Sequence, residues 1–115
     1  MPTGPITRVT MIKLPSEESL PIALEGFKVF AKFQQKDGAP YILSMQAGRA
    51  EGSVREQGYT FVTKSVFKSM DDMRYYEKDC PAHNEYREFL RKNAPAEGLQ
   101  TVYFKANAGF DFDCK

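Results

Sequence analysis

An α+β fold of the order β-α-β-β-α-β is predicted by two observations. Four short segments alternate apolar and polar residues with period two, and the stretches after the first and third of them repeat apolar residues at helical spacing. Residues 6–14 (ITRVTMIKL) set β-branched and apolar side chains between polar ones, as a half-buried strand does. Residues 15–19 (PSEES) break that pattern. Leu20, Leu24, Phe27 and Phe30 or Ala31 then follow at helical spacing, with Pro21 tolerable in a first turn, and this long amphipathic helix is expected to close near Lys36-Asp37-Gly38. Residues 41–47 (YILSMQA) are a two-faced strand, with Tyr41, Leu43, Met45 and Ala47 on one side and Ile42, Ser44 and Gln46 on the other. A polar loop over 48–58 leads to a third strand at 59–67 (YTFVTKSVF), which pairs with the second as a long-looped hairpin.

The second helical stretch divides in two. Ser69 with Asp72 three residues on resembles a capping box with the shorter acid, and Met70, Met73 and Tyr76 share one helical face. Pro81 restarts the chain as a first-turn residue, and Ala82, Tyr86, Phe89 and Leu90 form an apolar stripe through Lys92. Residues 99–106 (LQTVYFKA) are the last strand. The tail at 107–115, with Phe110 and Phe112, has no element assigned, and a short arm covers residues 1–5. The 115 residues suit one domain, and the order of elements is the ferredoxin-like one: a four-stranded antiparallel sheet with its helices on one face. The other sheet face still carries apolar side chains. Two copies packed sheet to sheet hide it, so a homodimeric α/β barrel is expected.

The net charge is +1, with cations scattered among acids, which argues against nucleic acid as a partner. No apolar run is long enough to cross a bilayer, and the start of the chain lacks the pattern of a secretion signal, so a cytoplasmic protein is expected. Cys80 and Cys114 have neither metal-ligand spacing nor the density of a disulfide framework and read as free thiols.

Two short segments carry a resemblance to a known family. Gly58-Tyr59-Thr60 opens the third strand, and Tyr75-Tyr76-Glu77-Lys78-Asp79-Cys80-Pro81-Ala82-His83 spans the helix junction. Together they resemble the stress-responsive A/B barrel (Dabb) family over residues 6–106. The resemblance implies a dimeric barrel with an apolar cavity between sheet and helices in each protomer. Family members range from stress-induced proteins to polyketide cyclases of the olivetolic acid type, so fold alone does not assign a function. In the cyclase-type members the histidine ending the Pro-Ala-His motif is a general base and a tyrosine just upstream assists it. His83 matches that histidine, and Phe27 and Phe30 fall where helix-borne aromatics line the cyclase pocket. Cys80 departs from the motif, whose first position there is histidine. Arg8 and Phe61 likewise stand where the cyclase type carries histidines, which argues against the same substrate. The junction is one residue longer here, so the matching tyrosine is Tyr76 or Tyr75. Tyr76 is preferred because it shares the face of Met70 and Met73.

His83 is the only histidine in the chain and lies in the first turn of a helix, where the positive end of the helix dipole disfavours imidazolium. A neutral imidazole with a tyrosine hydroxyl nearby suits proton abstraction beside a carbonyl. These residues predict a cofactor-independent cyclase or lyase-type enzyme acting on a polyketide-like carbonyl compound. His83 and Tyr76 would be catalytic, and Arg8, Phe27, Phe30, Phe61 and Tyr75 would contact the substrate. The bland alternative is a non-catalytic stress-responsive or ligand-binding barrel, in which His83 bonds a backbone carbonyl and the aromatics are plain core. Haem chemistry on the same barrel is disfavoured, because the lone histidine belongs to the motif and no other is left as axial ligand.

Overall fold

A computed structural model describes residues 4–110. Four strands, β1 (Ile6–Lys13), β2 (Ile42–Arg49), β3 (Phe61–Phe67) and β4 (Gly98–Lys105), form one antiparallel sheet in the order β2-β3-β1-β4. Three helices, α1 (Ser19–Phe33), α2 (Met70–Lys78) and α3 (Pro81–Asn93), cover one face, giving the ferredoxin-like arrangement with its second helix in two pieces. None of the helices among the described residues is long and apolar enough to cross a membrane.

The alternation in β1 and β3 sets the two faces of the sheet. Ile6, Thr10 and Ile12 pair with Phe67, Thr63 and Phe61, and all six are buried under the helices. Thr7, Val9 and Met11, paired with Val66, Lys64 and Val62, turn to the opposite face, where Val102 and Phe104 of β4 are 60% and 52% exposed. That face is an apolar surface with no covering layer in the single chain.

Strand β2 corrects the two-faced pattern expected for residues 41–47. The register with β3 shifts between Ile42 and Ser44, so Ile42 opposes Phe67 while Ser44 opposes Val66. Leu43 is the extra residue of this bulge and is 57% exposed, whereas Ile42, Met45 and Ala47 pack on the core. A single inserted residue thus moves Leu43 off the face of Met45.

Helix α1 ends at Phe33, earlier than the expected 36–38. Gln34 is already extended, and its Oε1 accepts from the backbone N–H of Tyr41 (3.1 Å) and Ile42 (3.2 Å), tying the helix end to β2. Asp37 and Gly38 then make a tight two-residue turn with positive φ at both, closed by mutual backbone bonds of Lys36 and Ala39. The helix buries Leu20, Ala23, Gly26, Phe27 and Phe30. Gly26 is the point of closest approach to α3: a Cβ there would lie 2.7 Å from the Phe89 ring.

At the start of α2, Ser69 Oγ accepts from the Asp72 N–H at 3.2 Å, the first half of a capping box. The Asp72 carboxylate instead pairs with Lys36 Nζ at 2.7 Å and is buried, joining α2 to the turn after α1. Pro81 opens α3, whose buried residues are Ala82, His83, Tyr86 and Leu90; Tyr86 donates its hydroxyl to the Ala23 carbonyl of α1 at 2.8 Å. Among the described residues of the tail, Phe110 is 81% exposed; Phe112 and Cys114 lie outside them, as do residues 1–3 of the arm.

Candidate active site

The helices bury the inner side chains of β1 and β3, among them Ile6, Ile12, Phe61 and Phe67, but leave the helix-facing side of β4 open, so Leu99 and Tyr103 are half exposed. Between this uncovered strip and α3 lies a cavity of about 400 Å³. Its floor is Arg8, Thr10 and Thr101 of the sheet; Phe27 comes from α1, Tyr76 from α2, and His83, Tyr86 and Arg87 from α3. Its size and partly apolar wall fit a small organic ligand.

His83 is held by the junction between α2 and α3. Its Nδ1 lies 2.8 Å from the Tyr76 backbone carbonyl. A carbonyl can only accept, so Nδ1 carries the proton and, in the neutral ring, Nε2 keeps its lone pair. The ring stacks on the Tyr76 phenol (centroids 3.9 Å apart, 21° between planes) and leans on Phe30 at 5.3 Å. Burial pushes its pKa down to about 4, and the positive charges of Arg87 and Arg8 act in the same direction against the opposing hydrogen bond to Tyr76. The imidazole is therefore neutral at physiological pH. The sequence suggested the helix dipole as the reason; in the folded protein, desolvation is the largest cause.

Tyr76 is buried, and desolvation raises its phenol pKa, partly offset by Arg8 and Ser65. Ser65 Oγ sits beside the hydroxyl but without a hydrogen bond of normal geometry. Arg8 lies 5.0 Å over the face of the Tyr76 ring, with Nε 3.3 Å from the Glu77 carboxylate and Nη1 3.2 Å from Thr10 Oγ1. Arg8 both lines the cavity and is paired with an acid.

The other residues singled out from sequence divide between the cavity and the core. Phe27 lines the cavity. Phe30 stands behind it, against His83, Tyr76 and Tyr86, and reaches a second, apolar groove on the outer side of α1 and α3. Phe61 is fully buried and is not among the lining residues. Tyr75 points away, packing edge-on against Tyr41 and donating its hydroxyl to the Gln35 carbonyl at 3.0 Å. Of the two tyrosines left open by the longer junction, Tyr76 faces the cavity. Cys80 is wholly buried near the Tyr41 hydroxyl, in a packing position. Among the lining residues that the sequence did not single out for the site are two cations, Arg87 and Arg91; with His83 they recur at i, i+4 and i+8, which places all three along one side of α3.

Comparison with known proteins decides the family. The family model described as Stress responsive A/B Barrel Domain matches residues 6–99. The chain belongs to this family. A fusaristatin A biosynthesis cluster protein of Gibberella zeae is 48% identical over 103 residues, covering 90% of this chain and 74% of that protein. Among solved structures, the hydroxynitrile lyase of Passiflora edulis superposes with a TM-score of 0.69 at 16% identity, over 96% of this A/B barrel chain and 100% of that one. A dimeric protein of ferredoxin-like fold from Bacteroides fragilis gives 0.63, also at 16% identity, over 92% and 100%. At such identities the two structural likenesses speak to the fold.

Proposed function

We propose that this A/B barrel chain is a cofactor-independent enzyme of the cyclase or lyase type that removes a proton beside a carbonyl group, with His83 as general base. The observation that carries the reading is the 2.8 Å contact from His83 Nδ1 to the Tyr76 carbonyl, which reserves Nε2 as the proton acceptor in a ring that lines the cavity. The Tyr76 phenol, kept protonated by burial, donates to the oxygen on which charge develops. An imidazole with a pKa of about 4 is a weak base, so it suits an acidified proton, such as one on a carbon between two carbonyls. Poly-β-keto compounds have such carbons, and the 48% identical relative named for a biosynthesis cluster is consistent with chemistry of that kind.

The chain works as a homodimer that packs through the outer sheet face, where Val102 and Phe104 are exposed; the Bacteroides fragilis protein of the same fold is also dimeric. The test is turnover of poly-β-keto acids and their thioesters by the purified dimer and by His83→Ala. Loss of turnover in a folded His83→Ala dimer is expected; full activity in that variant overturns the proposal.

A second reading has its own observation in favour. The same hydrogen bond and ring stack pin α2 to α3, which is all a structural histidine in a non-catalytic, ligand-binding barrel would need. Under that reading His83→Ala lowers thermal stability, while the wild-type protein binds carbonyl compounds and consumes none.

A further inference from the structure

We propose that the ligand of this cavity carries a carboxylate, received by Arg87 about one helical turn from His83. The inference rests on the cavity being the ligand site but not on any bond being made there. Three guanidinium groups line the cavity, from Arg8, Arg87 and Arg91, and no aspartate or glutamate does. Such a wall favours a negatively charged guest over a neutral one.

The three arginines are not equivalent. Arg91 is clamped by the Glu88 carboxylate through Nε (2.9 and 3.0 Å) and Nη2 (2.6 Å), so its charge is already matched. Arg8 is half matched, by Glu77 at 3.3 Å. Arg87 has no carboxylate partner among the described residues: its Nη1 donates to the Glu77 backbone carbonyl at 3.1 Å, which holds the guanidinium at the cavity without neutralising it. Arg87 is itself solvent-exposed, and this bond ties its guanidinium to the end of α2 beside the cavity. The fork left on Arg87 matches a carboxylate in its bidentate geometry.

One unmatched and one half-matched cation suit a single negative charge better than a phosphate dianion. Four residues of helix separate Arg87 from His83, a rise of about 6 Å. A carboxylate on Arg87 therefore lies a few bonds from a carbon at the His83 ring. The guest is an acid with its reactive carbon near the acid end, and the apolar remainder of the molecule extends toward Phe27 and Leu90.

The probes are octanoate, methyl octanoate and octyl phosphate, titrated into the purified protein and followed by amide NMR shifts of cavity residues. Octanoate is expected to bind at least tenfold more tightly than its ester. Arg87→Gln is expected to erase that preference and leave the affinity for the ester unchanged, while His83→Ala retains the preference. Equal affinity for acid and ester, a preference that survives Arg87→Gln, absence of saturable octanoate binding, or tighter binding of octyl phosphate than of octanoate each overturns the assignment. Since none of these readouts involves turnover, an inert His83 would leave the result standing, and a failed acid preference would leave the case for His83 intact.

Discussion

Acidification should destabilise this protein through one ring. His83 has an ordinary pKa of 6.5 when exposed and about 4 when folded, because the buried imidazole resists taking a charge. As the pH falls below 6.5, the unfolded chain binds a proton that the folded chain refuses until about pH 4. The contribution of this group to stability is thus complete above pH 6.5 and is lost on the way down to pH 4. At 1.36 kcal/mol per pH unit, the loss over that window is roughly 3 kcal/mol per protomer. The assay is urea unfolding at fixed protein concentration from pH 7 to pH 4, on wild type and on His83→Gln. Carboxylates titrate in both proteins and cancel in the difference, so the wild type should lose roughly 3 kcal/mol more than the variant. Parallel stability profiles would refute the reasoning, since they require an imidazole that titrates alike in the folded and unfolded chains.

Two other predictions follow from packing. Gly26→Ala places a methyl group 2.7 Å from the Phe89 ring and 2.9 Å from that of Tyr86, so overpacking of about 1–3 kcal/mol outweighs the gain in helix propensity, and thermal melting should show a lowered Tm. Val102→Asp puts a charge among the exposed apolar side chains of the outer sheet face and should convert a dimer into monomers in size-exclusion chromatography with light scattering, while Ser44→Asp, on the same face at a position that is already polar, should have a smaller effect.

The order of elements was legible because β3 keeps a strict period of two from Phe61 to Phe67 and β1 a looser one from Ile6 to Ile12, interrupted on its inner face by the half-buried Arg8. Pattern failed where one side chain overrode it. The bulge at Leu43 is set by how β2 meets β3, which no local periodicity encodes, and the end of α1 is set by the Gln34 amide capturing two distant backbone N–H groups. Ala23 and Gly26 were missed as contact residues because small side chains give a weak hydrophobic signal, although Gly26 lies against the Phe89 and Tyr86 rings and the Ala23 carbonyl accepts from Tyr86.

At the site, the resemblance pointed to a tyrosine upstream of His83 and left Tyr76 and Tyr75 open, and the helical face shared with Met70 and Met73 favoured Tyr76, whose ring stacks on His83. The core position of Phe61 was not, since a strand-borne aromatic on the helix side looks the same whether it meets a cavity or a packed helix. Arg87 and Arg91 look like solvated charges in the sequence; only the uncovered strip along β4 turns their side of α3 into a wall of the cavity.

The most direct test is the long-range ¹H–¹⁵N spectrum of the imidazole, which is unambiguous because the chain has one histidine. The account predicts a neutral ring protonated on Nδ1 at pH 7, with an unprotonated Nε2 and a midpoint of titration near pH 4. A ring protonated on Nε2, or one that titrates near 6.5, would contradict it.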